Sequence, residues 1–360
     1  MKALYVHVPF CDHICAYCDF MRCGYLETLG DKWLKALKKE LQEYKISDCT
    51  TVYIGGGTPS CLSLKQLDQL LSLLKPYMKH CEEATIEVNA DSFTDEKIAL
   101  CQRYGINRIS MGAQSFQPKL LKLIDRKADY DMIQSVIEQI HSHGIHNISL
   151  DLMYGLPQQT MIQWQDDLSK ASKLPISHIS LYALTIEEHS RFGREKIKPC
   201  DPDIEADFYE QAISFLKQQG FEHYEISSFA RHRQYSKHNL MYWHYADFYG
   251  IGCGASGKLG HMRYDNTRNL HTYITEGACR NELLLSKQDE MFETIMMGLR
   301  LKKGIDKQMF YERFHKDIHR VYEQAISKHI RLHNLIEDEK SLYTTYQGMM
   351  ILHDILVDFL

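Results

Sequence analysis

No stretch of this 360-residue sequence approaches the roughly 18 consecutive apolar residues that a membrane-spanning helix requires. Residues 1–10 hold one Lys and a short apolar stretch, and lack the apolar length and small-residue cleavage site of a secretion signal. Both absences lead to the expectation of a cytoplasmic protein, with peripheral membrane contact and homodimerisation left open. A surplus of positive charge is missing too: 42 Lys and Arg stand against 47 Asp and Glu, a net charge of −5, so bulk nucleic-acid binding is not expected. There are no internal repeats and no low-complexity segments. With 44% hydrophobic and 25% charged residues the chain has the composition of a folded protein. Eleven cysteines is an odd number and sits in a long chain, unlike a secreted disulfide scaffold. Soft metal ligands in a reducing compartment fit better.

Short β-rich apolar runs alternate with longer stretches patterned for helix. Strands are expected at 3–7, 51–54, 85–88, 107–111, 147–151 and 178–182. Between them apolar residues recur at helical spacing, as in Leu67, Leu70, Leu71 and Leu74, or Ile133, Val136, Ile137 and Ile140. Strands joined by helix-length connections imply parallel β–α units, six of which make a barrel or part of one. Functional residues then collect at the C-terminal ends of the strands. The expected fold is therefore α/β: a barrel or part of one over residues 1–226, a loop-rich connecting segment over 227–280, and a small, mostly helical C-terminal domain over 281–360.

Four cysteines fall within residues 11–23, directly after the first strand. Three of them, Cys11, Cys15 and Cys18, follow a CxxxCxxC spacing that lets one loop wrap three thiolates around a compact centre. Structural zinc sites and electron-transfer iron–sulfur clusters normally take four protein ligands. Three close thiolates point instead to a [4Fe–4S] cluster with one iron open to a small chelate. Cys23 reads as a neighbouring thiol rather than a fourth ligand, and the remaining cysteines as packed side chains.

The stretch from Tyr5 through Cys11, Cys15, Tyr17 and Cys18 to Phe20 resembles the radical S-adenosylmethionine superfamily. Within it, the resemblance is to the branch that holds oxygen-independent coproporphyrinogen oxidases and HemW-type haem chaperones, and it runs over nearly the whole chain. It implies S-adenosylmethionine at the open iron, reductive cleavage of its sulfonium to a 5′-deoxyadenosyl radical, and a reductant protein as partner. It also implies that the barrel is the partial (β/α)6 form with a helical C-terminal domain, and it implies a cofactor pocket. Gly56, Gly57 and Thr58 belong to a GGGTP element that lets the backbone approach the methionine part. Glu87, in an E-x-N segment whose usual proline is Ala90 here, is placed to accept from ribose hydroxyls. Arg126 suits the methionine carboxylate, because a guanidinium is a planar fork. Gln114 and Asp151 supply further polar contacts, and Tyr5, Tyr17 and Ala183 line the same pocket.

Two departures set this chain apart from the oxidases. Phe20 stands where they usually carry a further cysteine, and the cluster motif begins at residue 11 without their N-terminal extension. The run His238-Asn239-Leu240-Met241-Tyr242-Trp243 matches the HNxxYW motif of the haem-binding group, with His238 as the candidate axial ligand. Ser256 replaces a histidine common in relatives. The resemblance thus implies haem or a porphyrin as cargo and haem-accepting client proteins as partners. The alternative is an enzyme that oxidatively decarboxylates coproporphyrinogen or works on another tetrapyrrole.

Overall fold

The computed structural model describes residues 2–44, 46 and 49–360. Six parallel strands form the centre: β1 (Lys2–Val8), β2 (Thr51–Gly56), β3 (Glu83–Val88), β4 (Arg108–Gln114), β5 (Asn147–Tyr154) and β6 (His178–Ala183). They lie side by side in chain order. Each expected strand is present, lengthened by one to three residues.

Strict alternation along these strands explains both the core and the site. Leu4, Val6, Val52, Ile54, Ala84, Ile86, Ile109, Met111, Ile148, Leu150, Ile179 and Leu181 all belong to one buried hydrophobic cluster. The helices Glu27–Glu43, Leu64–Met78, Tyr130–Ser142 and Met161–Lys173 contribute their apolar faces to that cluster, through Trp33, Leu70, Ile137 and Trp164 among others. The intervening residues, Tyr5, Tyr53, Glu87, Ser110, Asp151 and Tyr182, point the other way, into the barrel. Neighbours there are set by register: Tyr5 opposite Tyr53, Glu87 opposite Ser110, Gly112 opposite Asp151.

Residues 227–280 depart from the loop-rich expectation. They contain β8 (Ser228–Ala230), which follows β7 (Glu222–Glu225), the helix Lys237–Trp243, then β9 (Asp247–Ile251), β10 (Ser256–Leu259) and β11 (Met262–Asp265), and the helix Leu270–Glu276. With β12 (Asn281–Leu284) these extend the central sheet to twelve strands. β9 runs parallel to β1, and β10, β11 and β12 follow it antiparallel; β8 and β7 close the other edge. Tyr249, Ile251 and Tyr273 join the main core. The closely spaced glycines and polar inward positions hid these short strands.

The C-terminal part has a separate core of Met291, Ile295, Phe310, Ile326, Ile355 and others, against which Ile226 packs. It is helical, as expected, with a three-stranded sheet added: Ile305–Asp306, Ser341–Thr344 and Leu335–Glu337. No helix among the described residues is long and apolar enough to cross a membrane.

Candidate functional site

A cavity of about 1260 Å³ opens over the C-terminal ends of the central strands. Every S-adenosylmethionine candidate, from Tyr5 to Ala183, lines it, as do Cys11, Cys15 and Cys18. His238 does not.

The cysteine loop leaves β1 at Val8 and closes on itself. Phe10–Cys11 pairs with Cys23–Gly24, the Cys23 N–H donates to Pro9 O (2.8 Å), and the Tyr25 N–H donates to Cys11 O (3.0 Å). Within the loop Ala16 is buried beside Leu120, Ile124 and Phe192, and its backbone pairs with Ile124 and Phe192. The loop is therefore anchored before any ligand arrives. Cys11 is buried, while Cys15 and Cys18 are half-exposed toward the cavity. Burial pushes the Cys11 thiol up to about 12 and raises Cys18, so both are protonated at neutral pH and must lose protons when they ligate metal. The Cys23 thiol instead donates to Pro9 O at 3.3 Å, consistent with a neighbour's role. Among the described residues no three His, Cys, Asp or Glu side chains converge on a point for one metal ion. A cubane makes no such demand, because each thiolate binds a different iron.

The glycine element is shaped by contact. A Cβ on Gly57 would lie 2.4 Å from Phe10 O and 3.0 Å from the Cys11 sulfur. Gly56 has φ +111°, and a Cβ there would strike the His7 ring at 2.7 Å. Only glycine lets this turn lie against the cysteine loop. Thr58 Oγ1 donates to the Cys11 sulfur at 3.6 Å and accepts from Asn89 Nδ2 at 3.3 Å. Asn89 Oδ1 in turn accepts from Arg126 Nη1 at 2.9 Å. Arg126 also donates to Gly112 O and stands 3.9 Å from the Cys15 sulfur. Asn89 thus joins the two cysteine-side contacts. It lies in the E-x-N segment but is not among the expected site residues; its period-2 relation to Glu87 was the available signal.

Glu87 accepts from Tyr53 OH (2.7 Å) and from the Gly56 N–H (3.1 Å). Burial nevertheless pushes its carboxyl up to about 7, and that of Asp151 up to about 6. Asp151 Oδ1 and Gln114 Oε1 are buried acceptors without a partner. Gln114 sits at a register shift with φ 62°, which turns it out of the strand. Unsatisfied acceptors facing a cavity are costly unless a ligand donates to them.

His238, the candidate axial haem ligand, is not among the side chains that line the cavity. It is 1% exposed, at the second position of the helix Lys237–Trp243. Its Nδ1 bonds Thr51 Oγ1 (2.9 Å), its Nε2 bonds Tyr242 OH (2.7 Å), and its ring lies 4.9 Å from that of Tyr53. Burial pushes its pKa down to about 3. Both nitrogens are engaged, so this conformation offers no axial ligand from His238. The imidazole instead holds Tyr242, which does line the cavity together with Trp243.

Comparison with known proteins adds two kinds of finding. The Radical SAM superfamily model matches residues 5–171, and the HemN C-terminal domain model matches residues 285–351. A protein of Lactococcus lactis named Heme chaperone HemW is 35% identical over 100% of this chain and 97% of its own length. The Bacillus subtilis protein of that name is 33% identical over 100% and 99%, and that of Escherichia coli 32% over 86% and 85%. Among solved structures, the radical SAM enzyme coproporphyrinogen III oxidase (HemN) of Escherichia coli superposes with a TM-score of 0.86 over 99% of this chain and 89% of that one, at 22% identity. That likeness is one of fold.

Proposed function

The chain belongs to the HemW family of the radical SAM superfamily, and from that premise we propose that it is a cytoplasmic haem chaperone, which binds haem and delivers it to client proteins. The observation that carries this is the cavity. At about 1260 Å³ it exceeds the roughly 300–1,000 Å³ of a site for one small ligand. One end has the donors for a cluster and S-adenosylmethionine; the other presents Trp243, Phe248 and Met297, flat and polarisable surface suited to a macrocycle.

The residues present fit the two cofactors that the family implies. Cys11, Cys15 and Cys18 supply three thiolates on one anchored loop, and the Gly56–Gly57 turn leaves a cradle that a side chain would fill. Arg126 offers a half-buried cation, and Asp151 and Gln114 offer acceptors still lacking donors. Together the bound cofactors supply one-electron reduction at a sulfonium, fed by a reductant protein. This chain's own part is to hold and orient. Thr58 and Arg126 direct hydrogens toward sulfur. Glu87 takes ribose hydroxyls on the carboxylate that Tyr53 and Gly56 fix. The surrounding side chains limit water.

A decarboxylase reading shares this pocket and is favoured by the completeness of the cofactor constellation. Against it, Phe20 occupies the position of the oxidases' further cysteine and stands exposed at the mouth of the cavity. The chaperone reading is tested by titrating haem into the anaerobically reconstituted protein and adding a haem-free globin. Saturable binding followed by transfer supports it, and failure to bind haem refutes it. Cys15→Ala should abolish the cluster's visible absorbance; an unchanged spectrum would refute the ligand assignment.

A further inference from the structure

Behind the cofactor pocket, Lys97 holds two turns together. It stands on the helix Asp95–Tyr104, and its ammonium donates to Ser60 O at 2.6 Å and to Ser92 O at 2.9 Å. Ser60 follows the glycine element beyond the end of β2, and Ser92 follows the E-x-N segment beyond the end of β3. The two hydroxyls meet at 2.7 Å, and Ser60 Oγ also accepts the Asn89 N–H at 3.0 Å. Ser60 is fully buried, and neither it, Ser92 nor Lys97 lines the cavity.

This network ends on the cysteine loop. Asn89, whose backbone Ser60 holds, bonds Thr58 through Nδ2 and Arg126 through Oδ1, and those two side chains reach the sulfurs of Cys11 and Cys15. The Thr58–Asn89 bond spans the two turns, so its length depends on how closely the turns are drawn together. One ammonium shared by a carbonyl on each turn does that drawing. Hydrogen bonds to the sulfur ligands of an iron–sulfur centre stabilise its reduced, more negative form and raise its reduction potential. Resting on the reading that Cys11, Cys15 and Cys18 hold a [4Fe–4S] cluster, we propose that Lys97 is a positioning residue for that cluster. Through Ser60 and Asn89 it keeps Thr58 and Arg126 against the cysteine sulfurs, and so sets the potential at which the cluster takes up an electron.

The test is a redox titration of the anaerobically reconstituted cluster, followed by electron paramagnetic resonance. Lys97→Met keeps the length of the side chain and drops its donors; it should lower the potential by about 59 mV, a roughly tenfold change in the one-electron equilibrium. Lys97→Arg, with donors for both carbonyls, should recover most of that shift. Ser60→Ala changes no charge yet removes the acceptor of the Asn89 N–H, and should move the potential in the same direction. The double variant Lys97→Met with Ser60→Ala should fall short of the sum, because both substitutions act on one path. An unaltered potential in Ser60→Ala overturns the proposal even where Lys97→Met shifts it, since the ammonium would then act through its field alone. A potential in Lys97→Arg as low as in Lys97→Met overturns it too. If Lys97→Met takes up no cluster, Ser60→Ala decides by the same readout. Wild type that takes up no iron brings down the cluster reading itself, which is distinguishable from a wild-type cluster whose potential is indifferent to both substitutions.

Discussion

At the scale of the residue, His238 and Glu87 make opposite use of burial. His238 is neutral and doubly bonded, so His238→Ala removes two buried hydrogen bonds and leaves a small void. It should lower stability by about 2–4 kcal/mol, read from urea or thermal unfolding. The haem Soret band of the folded variant should keep its wild-type position; a shift to that of a complex with a different axial ligand would contradict a purely structural role for this imidazole. Glu87 is held above its ordinary value of 4.5, at about 7, mainly by desolvation. The folded state then binds more protons than the unfolded one between about pH 4.5 and 7. Glu87 accordingly makes the ligand-free protein less stable as pH rises through that window, with no further change above it. Glu87→Gln should flatten this part of the Tm-against-pH curve, and an unaltered slope would refute the burial argument. Sequence cannot reveal such states. The Thr51 hydroxyl that engages His238 lies 187 positions away, and no motif records which ring nitrogen is taken.

At the scale of the element, the cysteine loop and the glycine turn form one unit. Gly57→Ala puts a methyl group against the Phe10 carbonyl and the Cys11 sulfur. The variant should retain clearly less iron than wild type after reconstitution, while far-ultraviolet circular dichroism stays unchanged. Full iron content would show that the turn can yield. The helix Lys237–Trp243 is also held by a partner remote in sequence: Glu83 accepts the N–H groups of Lys237 (3.0 Å) and His238 (2.9 Å) at its N-terminus. The six central strands were legible because their outward faces are uniformly apolar and their lengths typical. β10 and β11 were not. Their sequences, SGKL and MRYD, carry charge on the face that turns to the cavity, so the alternation that marks a strand reads as a polar loop.

At the scale of the whole molecule, the sheet continues from β7 to β12, and residues 227–280 thereby become a wall of the site. The C-terminal part is joined to that wall by side chains. Glu293 accepts from Tyr245 OH (2.6 Å) and pairs with Arg263, and Arg300 lies over the Trp243 ring. The strand-end constellation could be read from sequence because loops after parallel strands must converge at one end. The far wall could not, since it is assembled by strands that sequence pattern concealed. Whether this cavity carries haem or converts a porphyrinogen is decided in one anaerobically reconstituted sample with S-adenosylmethionine and a reductant. It is assayed in parallel for haem binding and for decarboxylation of coproporphyrinogen. A haem carrier shows saturable haem binding with no protoporphyrinogen formed; catalytic turnover without haem binding would contradict that role.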